Sequence, residues 1–201
     1  MLVNGSKLIG TPILSLHTGG TLARVSTNIV DPNDLRVMAF RLDGELLSGE
    51  YGDILQSMKV REFSRMGMII DSIDDLVKRE EVVRLDEIMS LNFSLLGLKV
   101  ETKKGTKLGR VVDFVVTTDD FLVMQLVMKR PAIKALVDPE LIIGRSQITE
   151  VTDDKIIVKD EEAKIRKELR QKDFVPNFVN PFREPNFAPT HNQSPDELDT
   201  E

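Results

Sequence analysis

The chain has no cysteine, no tryptophan, one tyrosine and two histidines in 201 residues. Without cysteine there is no disulfide, no thiolate nucleophile and no Cys-ligated zinc. His17 and His191 lie at opposite ends of the chain, and neither stands in an HExxH spacing. A histidine metal site and a Ser–His nucleophile pair are therefore both disfavoured. No apolar run approaches the roughly 20 residues that a spanning helix needs. The opening MLVNGSKLIGT lacks the basic region and apolar run of a signal peptide. The expectation is a cytoplasmic protein with no membrane insertion. GxxxxGK[ST], GxGxxG and GxSxG are also missing, which removes the common phosphate cradles and the nucleophile elbow. Together these absences predict no enzyme activity, no metal and no cofactor.

What is present is a globular balance, with 41% hydrophobic and 30% charged residues. The formal net charge is −6, but it is unevenly placed. In residues 173–201 Asp173, Glu184, Asp196, Glu197, Asp199 and Glu201 face only Arg183, so the rest of the chain is close to neutral. A whole-chain electrostatic footprint for nucleic acid is absent.

The chain contains an internal repeat. With a shift of 86 positions, residues 22–40 lie over residues 108–126. Leu22, Arg24, Val25, Val30, Asp34, Val37 and Met38 then meet Leu108, Arg110, Val111, Val116, Asp120, Val123 and Met124. That is seven identities in nineteen positions, where average residue usage gives roughly one. Leu8-Ile9-Gly10 matches Leu95-Leu96-Gly97 upstream, and Val60, Phe63 and Met68–Ile70 match Ile148, Val151 and residues 156–158 downstream. Such a long period marks a duplicated domain, not a solenoid.

Each copy reads as β-structure. Thr18-Gly19-Gly20 and Lys103-Lys104-Gly105 are turn clusters between apolar runs, a hairpin signal. Asp31-Pro32-Asn33-Asp34 and Thr117-Thr118-Asp119-Asp120 are turns in matching slots; Pro sets φ and Asp can bond its own backbone. Alternation in the following strand places Met38, Phe40 and Leu42 on one face, and Met124, Leu126 and Met128 in copy two. Asp153-Asp154-Lys155 turns into a last strand at residues 156–158. Five or six short strands in under 90 residues suggest a small barrel or sandwich.

Residues 96–116 carry a pattern that resembles the opening of a PRC-barrel domain. Leu96-Gly97 and Val100 come first, then Gly105-Thr106-Lys107-Leu108-Gly109-Arg110-Val111, then Asp113-Phe114-Val115-Val116. Arg145-Ser146-Gln147-Ile148, Val151 and residues 153–158 resemble the closing portion of the domain. Copy one departs from the pattern: Ala23 stands where Gly109 does, and an insertion near residues 46–53 lengthens its middle. The resemblance implies a mainly β protein of two tandem small PRC-like barrels with short connecting and C-terminal helices. It also implies a non-catalytic assembly module. One group of the family forms the cytoplasmic part of the photosynthetic reaction-centre H subunit. Another is the C-terminal domain of a ribosome-maturation factor that engages a small-subunit ribosomal protein.

The organisation expected is copy one over 1–78, a helical linker over 79–92, copy two over 93–160, a charged helix over 161–172 and a tail over 173–201. In the linker Val82, Leu85, Ile88 and Met89 follow helical spacing. Two copies in one chain can pack pseudo-symmetrically, as a homodimer of single domains would, and the linker helix is the expected contact. A homodimer of the whole chain is compatible with this. The tail holds five of the nine prolines and four of the nine phenylalanines, among them Phe178 and Phe182. These suit either a strap over the barrels or a docking peptide.

The acid pairs Asp74-Asp75, Asp119-Asp120 and Asp153-Asp154 are better explained by turn chemistry than by catalysis or Ca²⁺. The densest basic cluster is Lys99, Lys103, Lys104, Lys107 and Arg110, with Glu101 and Asp113 between; Lys129, Arg130 and Lys134 form a second. The candidate interaction residues are Lys103, Lys104, Lys107, Arg110, Phe178 and Phe182. Exposed lysines also protect strand edges from pairing, and no aromatic stands in the hairpin to stack a base. The reading that follows is a scaffold for a protein partner of unknown identity. The alternative is a ribosome-assembly or RNA-processing accessory factor, acting on RNA or through a ribosomal protein. A small-ligand binder or enzyme ranks below both.

Overall fold

The computed structural model describes residues 1–47, 51–130 and 140–160. The charged helix expected over 161–172, the tail with Phe178 and Phe182, and Lys134 lie outside the described residues. The described chain falls in one compact unit, Met1–Glu162. In chain order it has β1 (Leu2–Asn4), a single helical turn α1 (Gly5–Leu8), β2 (Pro12–Ser15), β3 (Thr21–Asp31) and β4 (Arg36–Asp43). There follow β5 (Ile54–Gln56), β6 (Glu62–Phe63), β7 (Met68–Ile70), β8 (Leu76–Val77) and α2 (Val83–Ser90). The second half has β9 (Lys99–Thr102), β10 (Lys107–Thr117), β11 (Val123–Lys129), β12 (Glu140–Gly144), β13 (Ile148–Val151) and β14 (Lys155–Val158). No described helix is long and apolar enough to cross a membrane.

The strands form two sheets of seven. The first runs β6-β7-β2-β3-β4-β5-β8, and the second runs β13-β14-β9-β10-β11-β12 with β1 added on β10. The two orders match over six strands, with β8 in the first sheet and β1 in the second left without counterparts. In both, one parallel pair stands among antiparallel ones: Ile13 lies opposite Met68 and Val100 opposite Ile156. Among the described residues, however, neither strand path returns to its first strand. The sheets end at β6 and β8, and at β13 and β12. The hydrogen-bonded closure expected of two barrels is therefore not seen.

Local chemistry explains the matched backbones. Asp31 Oδ1 accepts from Asn33 N at 2.9 Å, the self-bonded turn expected at that slot. The hairpin tip at Lys103-Lys104 is closed by Gly105, at φ +80°, whose N donates to Thr102 O at 2.9 Å. Gly97 N donates to Val111 O at 2.8 Å, and Gly10 N to Val25 O at 2.7 Å. Both long strands also carry irregularities in the same two places. Register shifts fall between Val25 and Thr27 and between Ile29 and Val30, and in copy two between Val111 and Asp113 and between Val115 and Val116.

These bulges overturn one expectation. Ile29 pairs with Ala39 and Val30 with Val37, so Met38 is the extra residue; Met124 is its counterpart. An extra residue moves the preceding side chain to the opposite face. Val37 and Val123 are consequently buried, while Met38 is half-buried and Met124 is exposed. Strict alternation had put the two methionines in line with Phe40 and Leu126.

The linker forms a 3₁₀ turn at Arg79–Glu81 and then α2. Its expected apolar face is real: Leu85 and Ile88 are buried, and Leu85 packs with Ala39 and Ile54 of copy one. Arg84 Nη2 donates to Asp31 Oδ2 at 2.6 Å and fixes the helix to the end of β3. Burial disfavours charge on Asp31, but donation from Asn33 and Arg84 outweighs it and holds the carboxyl below its usual range.

Backbone hydrogen bonds between the copies lie at the ends of β4 and β11. Val37 N donates to Phe121 O at 3.0 Å, and Val123 N donates to Leu35 O at 2.9 Å. The two bonds exchange roles under the 86-residue shift, which is the signature of a pseudo-two-fold axis. Arg36 and Leu122 form an isolated antiparallel bridge there. Leu35 and Phe121, again equivalent, both take left-handed backbone, at φ +50° and +53°. Phe121 lies edge-on to Phe40, with ring centroids 5.2 Å apart, and to Phe63 at 6.4 Å. One continuous apolar core runs through both copies.

Candidate functional site

The Lys107-Leu108-Gly109-Arg110-Val111 run lies at the start of β10, where β9 pairs on one side and β11 on the other. Arg110 is opposite Lys99 on β9 and opposite Lys129 on β11. Lys99 is in turn opposite Lys155 on the parallel neighbour β14. Val100, Val111, Met128 and Ile156, each next in sequence to one of the four, are buried. Alternation therefore turns Lys155, Lys99, Arg110 and Lys129 away from the core. Four cations thus stand abreast on four adjacent strands, a row of about 14 Å at the usual interstrand spacing. Glu140 on β12 ends the row beyond Lys129.

The row borders a groove of about 550 Å³, lined by Lys99, Lys107, Arg110, Lys129 and Arg130, with Gly97, Val100, Gly109, Val111 and Val112 among its other walls. Glu101 is the one acid among the described lining residues, and its Oε2 lies 3.6 Å from Lys155 Nζ. No aromatic side chain is among the described residues that line the groove. Arg130 Nε is buried with no hydrogen-bond partner among the described residues.

Arg110, Arg130 and Lys107 have local reasons for their positions. Arg110 Nη1 donates to Gly97 O at 2.8 Å, and Arg24 Nη1 donates to Gly10 O at 3.0 Å in copy one. This arginine therefore has a structural task in both copies. Gly109 has φ +154°, and a Cβ there would lie 2.1 Å from Lys129 O. Glycine lets the β10 backbone lie close against the end of β11, which brings Arg130 to the groove. Lys107 pairs with Glu101 across the strands.

The matching place in copy one is chemically different. Arg24 lies opposite Pro12 and opposite Asp43. Gly67 stands against Pro12, at the position equivalent to Lys155. Only the structural arginine is common to both. Like charges placed directly opposite destabilise a sheet by a few tenths of a kcal/mol to about 1 kcal/mol per pair. Copy two carries three such pairings where copy one carries none.

Of the sequence candidates, Lys107 and Arg110 reach this groove, while Lys103 and Lys104 sit at the hairpin tip outside it. Lys99, Lys129 and Arg130 were visible as two separate basic groups, and strand pairing merges them. Lys155 carried no signal, because its turn looked like ordinary solvent-facing chemistry. His17 is exposed in the β2–β3 turn. Asp75 caps a 3₁₀ turn, its Oδ2 accepting from Ser72 N at 3.2 Å. Among the described residues no group of three or more His, Cys, Asp or Glu could hold a metal.

The fold and this site define a mainly β protein built by internal duplication, with a cationic groove on one copy only. A scan of protein-family models and a comparison with curated proteins give no match to the chain.

Proposed function

We propose that the chain is a non-catalytic binding scaffold made of two PRC-barrel-like modules, and that it works in the cytoplasm by assembling with a protein partner. One observation carries this reading. The copies keep the same strand order, bulges and Arg–Gly clasp, yet the cationic row belongs to copy two alone. Backbone agreement with surface divergence fits one copy acting chiefly as support while the other engages something. The features of residues 96–116 that resemble a PRC-barrel domain lie on the engaged copy, and that family's modules serve in assemblies. A protein partner suits the groove better than RNA, because its described lining residues offer no aromatic ring on which bases could stack.

The test is affinity isolation of the tagged full-length chain from its native host, with and without nuclease. A protein retained in near-stoichiometric amount after nuclease treatment is the expected result. Retention that disappears with nuclease would replace this reading by the RNA-linked role in ribosome assembly.

A further inference from the structure

Resting on that reading, we infer that the groove over Lys99, Arg110 and Lys129 receives an extended acidic segment of the partner. Four outward cations in register make a linear array, not a point charge. The acid within the groove, Glu101, is already engaged by Lys155, and Arg130 Nε is buried without a partner among the described residues. Lys155 is thus offset by Glu101 and Lys129 stands opposite Glu140, so among the described residues Lys99 and Arg110, in the middle of the row, have no ion-pair partner. An extended peptide places alternate side chains on one face about 7 Å apart, so a row of about 14 Å meets up to three successive carboxylates. Val112, exposed in the groove lining, offers an apolar contact to a side chain of the same segment. Opposite charge would relieve the like-charge repulsion along the row, which is the complementarity that selects this occupant.

The experiment uses a fluorescein-labelled synthetic peptide of a dozen residues, Asp and Glu broken by leucines, titrated with the full-length chain at low and at physiological salt. Saturable binding that weakens with salt is expected. Lys99→Glu/Lys129→Glu should weaken it by at least about tenfold, whereas Lys103→Glu/Lys104→Glu, with the same charge change at the hairpin tip, should cost less than about threefold. Amide shifts of the unmutated chain on adding peptide should concentrate at Lys99, Gly109 and Lys129, which keeps the test decisive if a variant fails to fold. Equal losses from the two double variants would overturn the inference, since the effect would then be diffuse charge. So would tighter binding of a single-stranded RNA of similar length, or far stronger displacement of the probe by PDELDTE from the chain's own end. A nuclease-resistant protein partner together with no peptide binding would defeat this inference and leave the scaffold reading standing.

Discussion

Gly109 and Ala23 occupy one position of the repeat and solve it differently. In copy two the glycine, at φ +154°, makes room for Lys129 O and for Arg130 beyond it. In copy one Ala23 is buried, and the space is made across the strand pair by Gly44, whose added Cβ would lie 2.9 Å from Leu22 O and 3.0 Å from Ala23 Cβ. The small residue has changed strands, and with it copy one has lost the arginine at the groove. Gly109→Ala should accordingly cost about 3 kcal/mol, from backbone strain and the 2.1 Å approach together, read by urea denaturation. A loss under about 0.5 kcal/mol would show that β10 shifts freely and that Gly109 does not set the groove.

At the scale of elements, the N-terminal arm is the unexpected feature. β1 leaves copy one and adds to copy two, pairing Leu2–Asn4 with residues 115–117. A Cβ on Gly5 would lie 2.4 Å from the Phe114 ring, so the arm lies tightly against β10. Asp113 holds it. Asn4 Nδ2 donates to its Oδ2 at 3.1 Å, Ser6 N to its Oδ1 at 3.0 Å and Ser6 Oγ to its Oδ2 at 2.6 Å. Burial disfavours the charge, but these donors and Phe114 N outweigh it and hold the Asp113 carboxyl below the usual carboxylate range. A depressed folded-state value gives stability that is present above the unfolded value, near 3.9, and lost as pH falls through the folded one. The arm should therefore loosen below about pH 4, seen as faster amide exchange at Val3 and Asn4 than in β11. Asp113→Asn should abolish that acid step and speed exchange of the arm at neutral pH. An unchanged pH profile in the variant would mean that another group releases the arm.

Across the described chain the two copies lie in one compact unit, and the backbone hydrogen bonds that join them are reciprocal. Phe121 is the centre of this contact, buried against Phe40 and Phe63 of the other copy. Each copy alone would hold a small core, and small cores are marginal. The shared core predicts a single unfolding transition, with exchange in β3–β4 and in β10–β11 reporting the same midpoint. Phe121→Ala should cost about 3–5 kcal/mol and separate those midpoints. Retention of one coincident transition in the variant would show that the copies are coupled through other contacts.

The sequence by itself determined the duplication, the turns and the apolar face of the linker helix. Those features depend on neighbours a few residues apart or on a repeat read directly by shifting the chain. Asp31 bonding to Asn33, and Leu85 and Ile88 facing inward, needed no distant partner to be foreseen. Tertiary structure decided the rest. Which side Met38 and Met124 face depends on bulges set by the opposing strand. The exchange of β1 and the reciprocal bonds at Leu35 and Phe121 join residues 80 or more positions apart. The cationic row exists only because strand register brings Lys155, Lys99, Arg110 and Lys129 abreast, and register is a property of pairing that composition and local spacing do not contain.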